Sequence, residues 1–402
     1  MEEHTTLLLP DDALREILLR VSTDAAALFR CGTVCKRWRQ LIADRSFLRR
    51  CWPENAAGSS LLLGFFQQEL VKDQPPFFYP ALPGSVLGSH RRCLTTFLSG
   101  APAGVLNKAI PMVARNGLLL MCHIVKDQLI VCDTVCGTCD MLPSDMSHGD
   151  AILTREDCCP SNGQQGGTTS TGSSAFGFKV LTIVESAHGY SLYTFMSSET
   201  EWSSPRKCFD GVWARGKRHL KIIQGTNKVV VCRGAAHWLG TYLDLENQKE
   251  VSRYFTFGVN AETGLISLAD LPIPGNQLAK PSHSGPMLRV DGNGRLSLLH
   301  LRMGDLGLSV WTRVDDQTWL RTGVIQLKPP NLAWHFGCIG IWPGKKRNIL
   351  LMNDFRGRMH ETDIETGAME DVTETMFQDY LGPMAVPMEI DWPTLFSSRF
   401  SS

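Results

Sequence analysis

Three stretches share one pattern, and it limits the fold more than any other feature of the chain. Each is an apolar strand, an Asx residue, a turn closing on glycine and a return strand. They are LIVCDTVCG at 129–137, FTFGVNAETG at 255–264 and HETDIETG at 360–367. An Asx side chain bonds the backbone ahead of it, and a closing glycine supplies the positive φ, so each reads as a hairpin. Two further stretches, 190–195 and 308–314, are strands followed by an acidic turn and then Trp202 or Trp319. The turn positions Asp133, Glu199, Asn260, Asp315 and Asp363 lie 66, 61, 55 and 48 residues apart. That drift is too loose for a solenoid. It suits the blades of a β-propeller, each an antiparallel sheet of roughly 45–50 residues.

Further strands are expected at 179–184, 228–232, 295–300 and 348–352, β-rich runs bounded by Gly, Asn or Asp. The stretch 234–239, with small residues and Trp238, reads as an inner strand close to the axis. Residues 161–174 are almost free of apolar side chains and read as a mobile loop that stretches the first interval. Five blades follow directly. A sixth can be completed from residues 56–115 and the tail 384–392, because propellers often close by pairing both ends. Within 56–115, Leu61 to Phe66 suits one buried strand, whereas Pro75, Pro76, Pro80, Pro83 and Gly84 exclude a long element.

The first fifty residues are of another kind. Leu14, Ile17, Leu18 and Val21 fall at i, i+3, i+4 and i+7 on one helix face, with Pro10-Asp11-Asp12 as its start. Ser22-Thr23-Asp24 breaks this pattern and offers caps for a second helix through Leu28. After Gly32, Val34, Trp38, Leu41 and Ile42 share a face, and Asp44 opens a last turn with Phe47, Leu48 and Trp52. Three short helices of this size hide little apolar surface. The unit is therefore either a partner-binding module or a helical cap on the following domain.

The string VCKRWR at 34–39, with Leu9-Pro10 upstream and Leu41, Ile42 and Phe47 behind it, resembles an F-box over roughly residues 7–52. The resemblance implies docking on the Skp-type adaptor of a Skp–cullin–F-box ubiquitin ligase, and through it on a cullin. The adaptor-binding positions it implies are Leu9, Pro10, Ile17, Leu18, Val34, Cys35 and Trp38. The first interhelical turn departs from the family pattern in carrying Ser22-Thr23-Asp24 where proline is commoner. Between residues 28 and 52 seven Lys/Arg stand against Asp44 alone, which suits the acidic Skp adaptors or a solvated helix face. The repeats at 115–375 in turn resemble the kelch-like, F-box-associated propellers of the large plant families.

Forty basic and forty acidic residues cancel over 402, so the overall balance offers no case for nucleic acid or an anionic membrane as partner. No apolar run reaches the roughly 18 residues of a membrane helix. The acidic opening Met1-Glu2-Glu3-His4 lacks the apolar segment of a secretory signal. Thirteen cysteines without framework spacing suit the reducing cytoplasm or nucleus. Cys132, Cys136 and Cys139, with Cys158 and Cys159 nearby, read as buried or incidental thiols, since strand and turn positions converge poorly on one metal. No nucleophile elbow, phosphate loop or paired-histidine motif is present, so no catalytic residue, cofactor or metal is assigned. Trp213 with Arg215, Lys217, Arg218 and Lys221 is the strongest basic–aromatic cluster outside the F-box, and a polar loop explains it well.

The expected architecture is multidomain, α then β: a small three-helix F-box at 7–52, then a β-propeller of five or six blades. The propeller spans 115–396, with a connecting region at 53–114 and a disordered insertion at about 160–175. Function follows as that of a non-catalytic substrate receptor presenting propeller loops to a target protein whose identity and binding residues are unknown. The alternatives are a propeller enzyme or carbohydrate-binding protein with a helical cap, and a scaffold that binds the adaptor without directing degradation.

Overall fold

The computed structural model describes residues 9–400 except 23–24, 53–59, 69–73, 82–89, 97, 99, 102–103, 144–149, 155–156, 158–176, 187–188, 210–216, 224–228, 247–248, 274–275, 278–285, 292, 303–304, 331–337, 345–347, 355, 374–381 and 383. The loop expected at 161–174, Pro83, Gly84, Thr23, Asp24, Cys158, Cys159, Trp213 and Arg215 lie outside the described residues.

Four helices rather than three form the N-terminal unit: α1 (Asp11–Val21), α2 (Ala25–Val34), α3 (Lys36–Ala43) and α4 (Arg45–Cys51). The last turn expected after Asp44 is a full helix, because the Asp44 carboxylate accepts from the backbone N–H groups of Ser46 and Phe47. Those bonds, with that from the Ser46 hydroxyl, hold the Asp44 carboxyl below its ordinary pKa. Replacing Asp44 by Ala should lower stability by about 1 kcal/mol, read from the unfolding midpoint. Gly32 does not separate α2 from α3. It lies inside α2, where a Cβ would stand 2.3 Å from the Phe400 ring. The break falls at Cys35, whose backbone is extended (φ −158°, ψ 165°).

Six sheets follow, one per blade, each antiparallel. Blade 1 contains β1 (Ser60–Gln67), β2 (Phe77–Pro80) and β3 (Arg92–Cys93). Blade 2 contains β4 (Ala109–Arg115), β5 (Leu118–His123), β6 (Gln128–Asp133) and β7 (Thr138–Met141), and blade 3 contains β8 (Ala151–Thr154), β9 (Phe178–Ser186), β10 (Gly189–Met196) and β11 (Arg206–Lys207). Blade 4 is built on the long hairpin of β14 (Ala235–Glu246) and β15 (Lys249–Asn260). Along one edge of that hairpin lie β12 (Arg218–Ile222) and β13 (Val229–Cys232), and along the other β16 (Ile266–Asp270) and β17 (Asn276–Gln277). Blade 5 has β18 (Met287–Val290), β19 (Leu296–Arg302), β20 (Gly307–Arg313) and β21 (Trp319–Gln326). Blade 6 has β22 (Cys338–Pro343), β23 (Ile349–Asp354), β24 (Met359–Asp363) and β25 (Met369–Asp371).

The ring closes where β26 (Val386–Asp391) pairs antiparallel with β1, Ser60 opposite Asp391 and Phe66 opposite Val386. Blade 1 therefore reads β26-β1-β2-β3, with its inner strand drawn from the far end of the chain. Residues 234–239 are not the innermost strand of blade 4, since β13 pairs Ala235–Trp238 from the axial side and touches β8 and β18. Trp238 is nonetheless fully buried, against Phe257.

The expected Asx turns are present: Asp133 accepts from Val135 and Cys136 N–H, Asn260 from Glu262 and Thr263, Asp315 from Gln317 and Thr318, Asp363 from Glu365 and Thr366. Gly137, Gly264 and Gly367 carry φ of 77°, 66° and 71°. All four turns join the third and fourth strands of their blades, so strand alternation puts them on one face of the ring. Cys132 and Cys139 stand directly opposite each other in the β6–β7 register and form a disulfide, where separate thiols were expected. Cys136 is exposed in the turn between them.

The chain ends in α5 (Trp392–Phe400), which follows β26 without a break. Phe396 stacks on Trp52 at 5.5 Å, and Phe29 packs on both Phe396 and Phe400. On the propeller side, Leu395 approaches Gly117 at the β4–β5 turn. One apolar core thus runs from Leu14, Leu18 and Leu28 through α5 into Phe66, Leu119 and Ile130.

Candidate functional site

The candidate site is the outer surface of the four-helix unit. Leu9, Ile17 and Val34 are 52 %, 46 % and 66 % exposed, although the unit has buried its core. Pro10 and Cys35 are exposed as well, and Trp38 is half-buried against the core. Arg37 on α3 sets the position of the Leu9–Pro10 segment. Its guanidinium donates to the Leu9 carbonyl at 2.5 Å and to the Asp11 carboxylate at 2.6 and 2.8 Å. This fork brings the start of α1 to the first turn of α3, next to Val34, Cys35 and Trp38 in the chain.

Leu18, grouped with Ile17 in the sequence, is placed apart from it. Successive helix residues are turned about 100° from each other, so with Ile17 outward Leu18 points into the core, 0 % exposed beside Leu14 and Leu28. It supports the surface from behind rather than lining it.

Lys36 and Arg45 are exposed, and Arg37 and Arg50 are committed within the unit. Arg50 reaches Glu16 of α1 at 2.6 Å, and that bond raises its pKa. The basic character seen in the sequence is therefore partly a brace between helices. The exposed Asp11 and Glu16 that complete it carried no sequence signal of that role.

On the propeller, Trp213 and Arg215 of the flagged cluster lie outside the described residues. Lys217 is paired with Asp270 at 2.8 Å and lies over the Tyr242 ring at 4.3 Å, a support for the edge of blade 4. Sequence reasoning missed a charge pair near the axis. Arg115 at the end of β4 holds Asp157 through two bonds of 2.5 and 2.9 Å, and Asp157 also accepts from Thr154 N–H and Oγ1. Burial pushes the Asp157 carboxyl upward, but the Arg115 charge and these bonds hold it below its ordinary value. Among the described residues no cluster of His, Cys, Asp and Glu is arranged to hold a metal, and no helix is long and apolar enough to cross a membrane.

Residues 7–50 match the family model of the F-box domain. No curated protein matches the chain. Among solved structures, a chain of a nidogen–laminin complex is similar at 9 % identity and TM-score 0.40, covering 82 % of this chain and 98 % of that one. Apo AztD from Citrobacter koseri is similar at 7 % identity and TM-score 0.37, over 81 % and 89 %. The WD40 domain of SCAP from fission yeast is similar at 11 % identity and TM-score 0.33, over 68 % and 52 %. At such scores none of them carries an argument, and the six blades rest on the strand pairing itself.

Proposed function

We propose that the chain is the substrate-recognition subunit of a Skp–cullin–F-box ubiquitin ligase. The observation that carries this reading is an F-box domain whose Leu9, Ile17 and Val34 stay exposed after its core has closed on α5 and the propeller. Leu9, Pro10, Ile17, Val34, Cys35 and Trp38 meet the Skp-type adaptor, with Leu18 as the buried support beneath them. The adaptor carries the cullin, and the propeller presents its loops to a target protein. In this reading the F-box occupies 7–52, residues 53–114 connect it and lend strands to closure, and the propeller fills 115–396. The subunit raises the rate by proximity alone, so it needs no catalytic residue, cofactor or metal. Its setting is cytoplasmic or nuclear, its partners include neither nucleic acid nor membrane, and its kinship is with plant-type F-box proteins bearing kelch-like propellers.

The test is a titration of the purified full chain with a Skp adaptor. Val34→Asp and Ile17→Asp change exposed side chains and leave the core intact, so they report on the surface and not on folding. Each should weaken adaptor binding by at least about tenfold, or 1.4 kcal/mol, and Trp38→Ala by more, since aromatic anchors dominate interfaces. Equal affinity of both Asp variants and the parent chain would remove the docking surface drawn here.

A further inference from the structure

The Cys132–Cys139 disulfide lies where the sheet is already held together. β6 and β7 pair antiparallel, with Asp133 opposite Thr138, Cys132 opposite Cys139 and Val131 opposite Asp140. The Leu142 N–H donates to the Leu129 carbonyl at 3.0 Å, and bonded and non-bonded pairs alternate along such a ladder. Val131–Asp140 and Asp133–Thr138 are therefore bonded pairs, and the two cysteines face each other at the non-bonded position between them. Facing residues approach most closely there, and these two Cα atoms stand 4.2 Å apart. The turn beyond is closed by the Asp133 carboxylate and by the Gly137 N–H, which donates to the Asp133 carbonyl at 2.8 Å. The hairpin is complete without its sulfur link.

The two ends of the bond differ in access. Cys132 is fully buried on β6. Cys139 is half-buried on β7, the outermost strand of blade 2, between the exposed Thr138 and Asp140. The turn that the bond secures reaches well beyond its own blade edge. Thr134 donates through N–H and Oγ1 to the Gly117 carbonyl, at 2.8 and 2.7 Å. A Cβ on Gly117 would stand 2.8 Å from Val135 of the same turn and 3.9 Å from Leu395 of α5. Gly137 accepts from the Gly100 N–H, in the segment that leads into β4, at 3.3 Å. Val135 and Cys139 also pack against the core that α5 and the F-box share with blade 2. The β6–β7 turn is thus part of the seat of α5.

We propose that Cys132–Cys139 is a reversible redox clasp, opened by a small thiol of the glutathione class, that sets how firmly β7 and its turn hold the seat of α5. A thiolate attacks the Cys139 sulfur, the more accessible of the two, and the bond to Cys132 breaks. Cys132 leaves as a thiolate and takes up a proton. A second thiolate attacks the small-molecule sulfur of the mixed disulfide, Cys139 leaves and is protonated, and the two small thiols depart as their own disulfide. Two electrons pass from them to the cysteine pair, and the oxidised small disulfide closes the bond by the reverse steps. Because the register and the turn bonds do not depend on the sulfurs, the chain folds in both states. The proposal concerns the propeller and is independent of adaptor binding.

Equilibration of the full chain in mixtures of reduced and oxidised glutathione, followed by acid quench, alkylation and peptide mapping by mass spectrometry, tests it. The Cys132–Cys139 linkage should rise with the oxidised share and vanish in reduced glutathione alone. Amide hydrogen exchange across residues 138–142 should be about tenfold or more faster in the reduced chain, since a cross-link restrains opening of the strand it joins. Cys139→Ser changes a half-buried side chain on the outermost strand; its exchange should match the reduced parent at every ratio. Cys136→Ser, in the exposed part of the turn, should respond as the parent does. Linkage that survives reduced glutathione overturns the proposal, as does its absence in oxidised glutathione or equal exchange of 138–142 in the two states. A response of Cys139→Ser like that of the parent, or its loss in Cys136→Ser, also overturns it by assigning the chemistry to another thiol.

Discussion

Arg115→Met is expected to destabilise the propeller by about 3 to 5 kcal/mol, because it leaves a buried carboxylate without its counter-charge. Asp157 is only 8 % exposed, and Arg115 supplies two of its bonds. Those bonds tie blade 2 to the chain that follows the inner strand of blade 3. The Asp157 carbonyl also lies 3.1 Å from where a Cβ on Gly234 of blade 4 would stand, so the backbone of that blade passes close by. Coupling distinguishes this from ordinary loss of packing. Asp157→Asn added to Arg115→Met should recover part of the loss, since the uncompensated charge is gone. Equilibrium denaturation of the parent, the single and the double variant measures both quantities. A single-variant loss under about 1 kcal/mol, in the range of an exposed pair, would show that the brace is not structural. The Asp157 carboxyl sits low in the folded state, so the stabilisation is complete at neutral pH and is lost as pH falls through that depressed value.

The second large effect has the opposite dependence on pH. Asp150 is buried where the chain enters β8. Burial pushes its pKa up to about 7, against the Ile183 N–H, which it accepts at 2.6 Å, and the Thr182 hydroxyl. A folded pKa above the unfolded one means that the native state retains a proton the unfolded chain has released. Stability therefore falls as pH rises from about 4 to about 7 and is level above that. The full difference is about 4 kcal/mol. Asn at 150 keeps the acceptor for Ile183 and cannot ionise, so Asp150→Asn should gain on the parent by that amount between pH 4 and pH 8. His237 contributes the reverse slope in both proteins: burial lowers its pKa to about 4, so stability is lost as pH falls from 6.5 toward that value. Because His237 is common to parent and variant, it cancels in the comparison. Parallel stability–pH curves for the two would place the Asp150 proton elsewhere.

What the sequence made legible is what a few neighbouring residues decide. The Asx and glycine positions at Asp133–Gly137, Asn260–Gly264 and Asp363–Gly367 act within five residues, and each forms the turn its chemistry demands. Their recurrence was enough to imply the propeller, and VCKRWR with Leu9-Pro10 was enough to imply the F-box. Helix boundaries were harder, because Gly32 ends no helix when the space beside it is taken by Phe400, far along the chain. The periodicity of α1 grouped Ile17 with Leu18, but only packing decides which of two adjacent apolar residues marks the edge of the buried stripe. Arg115 and Asp157 are 42 residues apart with nothing local to link them. Arg289, Ser297 and Thr312 each look like an ordinary strand residue until the registers place them in one row.

The join at blade 1 has a mechanical meaning. The strand that seals the ring, β26, continues directly into α5, the helix on which the F-box is seated. A load applied to the F-box is therefore transmitted to the seam of the ring, and slack in the seam becomes tilt of the F-box. The F-box and the ring are thus joined through α5. Trimming the last ten residues would loosen that joint from a distance, without touching any residue of the F-box surface itself.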